Sequence, residues 1–221
     1  MPAEKRTAGQ AALTVAARSS SASSSAAHVP VSSGHLLVTA GLSGFVLLAL
    51  EVVWFRLLAL FVKGHSGAFP VLLATVLAGI ALGSLAASAW ERARGNGPSV
   101  AVLTAMAGAA CLASYALLPV WLAPFGLQTI ATAVAIARLG APLMFPVSFV
   151  SGMLFTRLGS ALRAGAHSDE AVTGVLTLAN TAGAAVGSLT AGFLLLPWLG
   201  IERSLAVLAA VYGIVAVSHW R

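Results

Sequence analysis

Apolar residues run almost without interruption from Leu36 to Val62, and the same texture returns five more times before the last residue. A helix needs about 20 apolar residues to cross a bilayer, because each residue rises about 1.5 Å and the hydrocarbon is about 30 Å thick. By that measure the pattern predicts six spans: Leu36–Val62, Ala68–Ala89, Val100–Leu122, Leu127–Thr156, Gly174–Leu196 and Leu205–His219. The fourth is the longest and contains Pro142 and Pro146. Proline has no backbone N–H and its ring crowds the preceding turn, so this span is expected to bend or break there. The expected fold class is all-α, a polytopic membrane helix bundle of about six transmembrane helices.

Residues 1–34 do not share this texture. "ARSSSASSSAAHVPVSSG" is Ser/Ala low complexity with Pro30 and nothing from which to build a core. It reads as a disordered cytoplasmic tail, leaving 35–221 as a six-helix transmembrane domain. Lys5, Arg6 and Arg18 against the single acid Glu4 lend it a faint likeness to an organellar transit peptide, but a plain tail is the preferred reading. The apolar run that follows is too long for the core of a secretory signal.

Composition strengthens the membrane reading. Of 221 residues, 59% are hydrophobic and 8% charged, against about a quarter charged in a soluble domain. The lipid bilayer is therefore the first partner, and a cell (inner or plasma) membrane the expected location. A net charge of +6 would elsewhere suggest nucleic acid, but here the basic residues sit singly between apolar runs, so no nucleic-acid partner is expected. Cys111 is the lone cysteine, which excludes an intrachain disulfide and a Cys-based metal site.

Lys and Arg placement sets the expected orientation. Lys5, Arg6, Arg18, Arg92, Arg94, Arg157, Arg163 and Arg221 fall on one side of a six-span arrangement, and Lys63 and Arg203 on the other. Both termini are thus expected in the cytoplasm. Lipid gives helices little hydrophobic reason to associate, so small residues that permit close approach carry weight. Gly79 and Gly83 share one face of the second span, and Ala179, Gly183 and Gly187 one face of the fifth. They are candidate helix-packing seams, although an Ala/Gly-rich chain also produces such spacings by chance. Asn180, beside the second seam, is a candidate for a hydrogen bond across helices.

"ALEVVWFRLLALF", residues 49–61, places Glu51 and Arg56 inside the first apolar run. An ionised acid there is costly unless it is paired, hydrated or protonated. Five residues at about 100° each carry Arg56 about 140° around the helix from Glu51, off the face where i,i+4 pairs form. Its long stem is expected to reach the interface. Arg138 in the fourth span lies at a depth close to that of Glu51 and is the preferred partner. Glu51, Arg56, Arg138 and Asn180 are the candidate intramembrane polar or ligand-binding residues. Two readings of Glu51 stay open: structural glue in a buried ion pair, or a binding or proton site for a cationic solute.

The same residues carry a resemblance. "LSGFVLLALEVVWFRLL", with Glu51, Trp54 and Arg56, "LAGIALGSLAAS" and "ANTAGAAVGSLTAGFLLLPWLG" together resemble the membrane region of bacterial fused spermidine-synthase-like proteins. There a multi-helix region precedes a soluble aminopropyltransferase domain. Leu50 stands where that pattern commonly has Tyr, and "FPVSFVSGMLF" lacks the later proline of the matching segment. The likeness covers about residues 40–215. It implies a membrane module that anchors or serves an aminopropyltransferase domain, separate or downstream, and that handles polyamines.

The catalytic half of such proteins is not legible in this chain. "GNGPS", 95–99, is a turn between helices rather than a nucleoside cradle. Asp169 and Glu170 form a loop pair that needs no catalytic explanation, and the five histidines are scattered. No catalytic residue, metal ligand or cofactor is assigned, and turnover by this chain alone is not expected. The alternative function is a self-standing six-helix transporter half of the major-facilitator type, for which a homo-oligomer would be required.

Overall fold

A computed structural model describes residues 33–62, 65–126, 130–164 and 169–220. The tail expected over 1–34 therefore lies outside the described residues as far as 32. The first helix is already under way at Ser33.

The described residues form helices and no strand. These are α1 (Ser33–Leu58), α2 (His65–Arg94), α3 (Val100–Ala116), the short α4 (Leu118–Leu122), α5 (Ala133–Arg163), α6 (Asp169–Thr190) and α7 (Leu196–His219). A 3-10 turn, Ala123–Phe125, follows α4, and a π turn, Ala191–Leu195, joins α6 to α7. Four helical stretches are long and apolar enough to cross a membrane: Ser33–Leu58, Gly67–Arg94, Ala133–Arg163 and Glu170–His219. A fifth arises if Val100–Ala116 and Leu118–Phe125, bent by 52°, act together.

The third expected span, Val100–Leu122, is thus not straight. Pro119 follows a break at Leu117 (φ −87°, ψ −1°), because proline has no N–H with which to continue the donor ladder of α3. The stretch from Glu170 to His219 has the opposite surprise. As one rod its 50 residues would be about 75 Å long, far beyond the hydrocarbon. Gly200 divides it, with φ 72° and ψ −175°, a conformation essentially reserved for glycine. The two halves correspond to the fifth and sixth expected spans.

The fourth expected span needs a different correction. α5 passes Pro142 and Pro146 as one helix instead of breaking. Pro146 cannot donate to the carbonyl of Pro142 four residues earlier. Ser114 of α3 approaches that carbonyl at 3.5 Å, sharing its hydroxyl with Ala110 O at 2.6 Å. A neighbouring helix thus compensates the lost ladder bond, as prolines within membrane helices require. α5 also begins later than the apolar pattern suggests, at the Thr132 cap, whose Oγ1 accepts from the Ala135 N–H.

Three pairs build the bundle, and α5 also meets α1 and α3. α1 with α6 and α2 with α5 run parallel, their contacts advancing together from Gly41–Gly183 to Phe45–Gly187 and from Gly79–Ser148 to Glu91–Arg157. α3 with α7 is antiparallel, through Gly108–Tyr212 and Cys111–Leu205. Trp54, Leu50, Leu58, Leu143, Leu154 and Leu208 fill the interior. Helix ends sort onto two faces. One carries Glu91 of α2 against Arg157 of α5, and brings Ser33, Leu162 and Val172 around one hollow. The end of α7 joins it, since His219 meets Thr39 of α1. The opposite face carries Arg56 and the Gly200 turn, and a bridge there pairs Val62 with Ile130 just ahead of α5.

Candidate functional site

α1 buries Leu50, Val53, Trp54, Leu57 and Leu58, the i, i+3, i+4 repeat of a helix face turned to the core. Glu51 sits at the margin of that face and is half-buried. It opens on a small cavity among α1, α2 and α5, lined by Leu50, Glu51 and Trp54, by Val76, and by Val147 and Ser148. The space available to the centre of a water there is about 10 Å³, the volume of a single bound water. The Glu51 carboxyl has no hydrogen-bond or ion-pair partner among the described residues. Trp54 is 1% exposed, and its Nε1 is buried without a partner. Ser148 donates to Met144 O at 2.9 Å, leaving its oxygen free to accept.

The pairing of Glu51 with Arg138 expected from depth is not formed. Arg138 is exposed, within about one and a half turns of the start of α5. The depth comparison assumed a helix ending near Thr156, but α5 continues to Arg163, which moves Arg138 towards the opposite face. Arg56 is also exposed, on the other side of α1. It lines a groove of about 910 Å³ with Val52, Phe55, Leu196, Pro197 and Gly200. Asn180 makes no side-chain hydrogen bond to a described residue; its Oδ1 and its carbonyl lie against Gly44.

Small residues set how closely the helices approach. A Cβ on Gly183 would run into the carbonyl of Gly41, one on Gly187 into Phe45 O, and one on Gly44 into Asn180 O. Ala179 O faces Gly41 in the same α1–α6 seam. Between α2 and α5, a Cβ on Gly83 would meet Phe149 O, one on Gly79 the Ser148 Cβ, and one on Gly152 the Ile80 O. Ser84 closes this second seam by donating to Gly152 O at 3.2 Å. The contributions of Gly41, Gly44 and Gly152 were not singled out from the sequence, because spacing within one helix does not say which partner helix it meets.

A polar cluster at the α2 and α5 ends was also not anticipated. Arg157 Nη1 meets Glu91 Oε1 at 2.6 Å, its Nε donates to Pro98 O at 3.1 Å, and Ser160 donates to Glu91 Oε2 at 3.0 Å. The available signal was that "ERARGNGPS" and Arg157 share one expected side. Nearby, the rings of His35 and His219 lie 4.3 Å apart. Glu170 is exposed at the start of α6. Among the described residues no three His, Cys, Asp or Glu side chains gather as a metal-binding set.

No family model, curated protein or solved structure matches the chain.

Proposed function

We propose that the chain is a six-span module of the cell (inner or plasma) membrane, with both ends cytoplasmic, that anchors a soluble aminopropyltransferase-like domain. The observation that carries this is the common face of the start of α1 and the end of α7, joined through Thr39 and His219. A bundle of this kind delivers the chain on both sides of it to one compartment. The neighbouring Glu91–Arg157–Ser160 cluster rigidifies that face without presenting a reaction centre. The spermidine-synthase-like motifs around Glu51, Gly79 and Gly183 supply the identity of the anchored domain.

The test is the reading frame adjoining this one. A methyltransferase-like product is expected there, recovered with membranes when co-expressed with this chain and soluble when expressed alone. A product that stays soluble in both cases overturns the proposal. Polyamine handling belongs to the same resemblance and is tested by spermidine binding to the detergent-solubilised chain.

The groove beside Arg56 supports the second reading, a transporter half working as a homo-oligomer, because its size suits a small solute. Solute flux into liposomes holding only this chain would favour that reading over the anchor.

A further inference from the structure

We propose that Glu51 is a proton site: its carboxyl carries a proton inside the bundle and shares one bound water with the Trp54 indole N–H. The inference is independent of the anchoring role. It begins with two polar groups that lack partners on one turn of α1, the buried Trp54 Nε1 and the half-buried Glu51 carboxyl. Trp54 Nε1 is a donor only, and the Glu51 carboxyl three residues earlier has nothing to receive or give among the described residues. Both residues line the same cavity, and Ser148 lines it from α5. A cavity holds water when it is roomy enough and offers two to four polar partners. About 10 Å³ with a carboxyl, an indole N–H and a hydroxyl oxygen meets both conditions for one water.

The groups facing Glu51 decide the charge state. α1 contributes Leu47, Leu50 and Trp54, α2 contributes Val76, and α5 contributes Met144, Val147 and Ser148. None is charged or titratable. An ionised carboxylate in such surroundings lacks the counter-charge that makes burial tolerable. A metal cation is a poor occupant, since hard cations ask for about six oxygens and the indole presents the positive end of its N–H. A polyamine is far larger than the space. A proton needs no room. The protonated carboxyl then donates its O–H to the water, the Trp54 N–H also donates to it, and the water donates to Ser148 Oγ, whose own proton goes to Met144 O. The carboxyl O–H, the Trp54 N–H and the Ser148 oxygen each gain a partner in this arrangement.

Dicyclohexylcarbodiimide tests the proton. A protonated carboxyl adds its O–H across one C=N bond of the reagent, and the acyl group then migrates to nitrogen, so the whole reagent is retained and nothing leaves. With the purified chain in detergent at neutral pH, peptide mass spectrometry is expected to find the adduct on Glu51 and not on Glu91, Glu170 or Glu202. Labelling should fall as the pH is raised. The infrared spectrum of the unlabelled chain is expected to show a carboxylic-acid C=O band that shifts in deuterium oxide and vanishes in Glu51→Gln. Trp54→Phe should keep the band and move it to higher frequency, because the bound water loses an anchor. Without that band at neutral pH Glu51 is ionised and the proposal falls, whatever the reagent does. An unmoved band in Trp54→Phe overturns the shared water. The deuterium shift is read on the parent protein, so it decides even if Glu51→Gln fails to fold.

Discussion

Thr39 of α1 and His219 at the end of α7, 180 positions apart, meet with 2.8 Å between Oγ1 and Nε2. Thr39 also donates to His35 O at 2.9 Å, so the histidine nitrogen in this contact supplies the proton when the ring is the Nε2–H tautomer. The contact closes the bundle: the described helices begin, in α1, and end, in α7, on one face and so cross it an even number of times. Reporter fusions after Arg94, Arg163 and Arg221 are therefore expected to read the same, cytoplasmic, side. An opposite signal at Arg221 alone would mean that the Gly200 turn does not separate two crossings.

Gly183 of α6 touches the backbone of α1 at Gly41, so added volume there must separate the helices. Gly183→Leu is expected to cost about 1–3 kcal/mol, the range for overpacking a tight contact. Ala185→Leu, on an exposed position of the same helix, should change stability little. Thermal unfolding in detergent compares the two; equal losses would place the α1–α6 contact elsewhere.

Gly200 holds a backbone conformation that a Cβ opposes although no neighbour fills the space beside it. Gly200→Ala is expected to cost about 1–3 kcal/mol through backbone strain alone. Because Gly213, on the helix beyond, is also open to space, Gly213→Ala serves as the control. It should be neutral or slightly stabilising by helix propensity. A Gly200→Ala protein as stable as the parent would show that the break has another cause.

Glu51 and Arg138 do not touch, so their substitutions should be independent. The double mutant Glu51→Gln/Arg138→Gln is expected to equal the sum of the single effects within about 0.5 kcal/mol. Strong rescue by the second change would restore the buried ion pair that the structure lacks.

Glu91 and Arg157, by contrast, should couple. Both side chains keep about a quarter of their exposure, which holds the pair to the modest worth of a screened contact, about 1 kcal/mol. A double-mutant cycle with Glu91→Gln and Arg157→Gln should measure it, and its value should shrink in high salt. A coupling of zero would leave the Arg157–Pro98 O bond as the reason the arginine lies there.

That the chain is helical, with several segments long and apolar enough to cross a membrane, was legible from the order of residues, because hydrocarbon length and the cost of unpaired backbone groups act on each segment by itself. The apolar run around Glu51, the turn after Arg94 and the two helices either side of Gly200 needed nothing from the rest of the chain. Local rules misled where another helix supplied what a segment lacked. Pro146 was expected to bend or break α5, yet the helix continues through it, and Ser114 of α3 lies where it compensates. The partner of Glu51 was beyond reach for the same reason. Depth along a helix depends on where that helix ends, and its rotation depends on what it packs against. Only the assembled bundle put Arg138 outside and left Glu51, Trp54 and Ser148 around one cavity. Small-residue spacing offered Gly183 as a contact, but Gly41 as its opposite number is a fact about two helices together. What each segment can be is decided by its own residues; which side chains meet is decided by packing, since contact is a property of pairs.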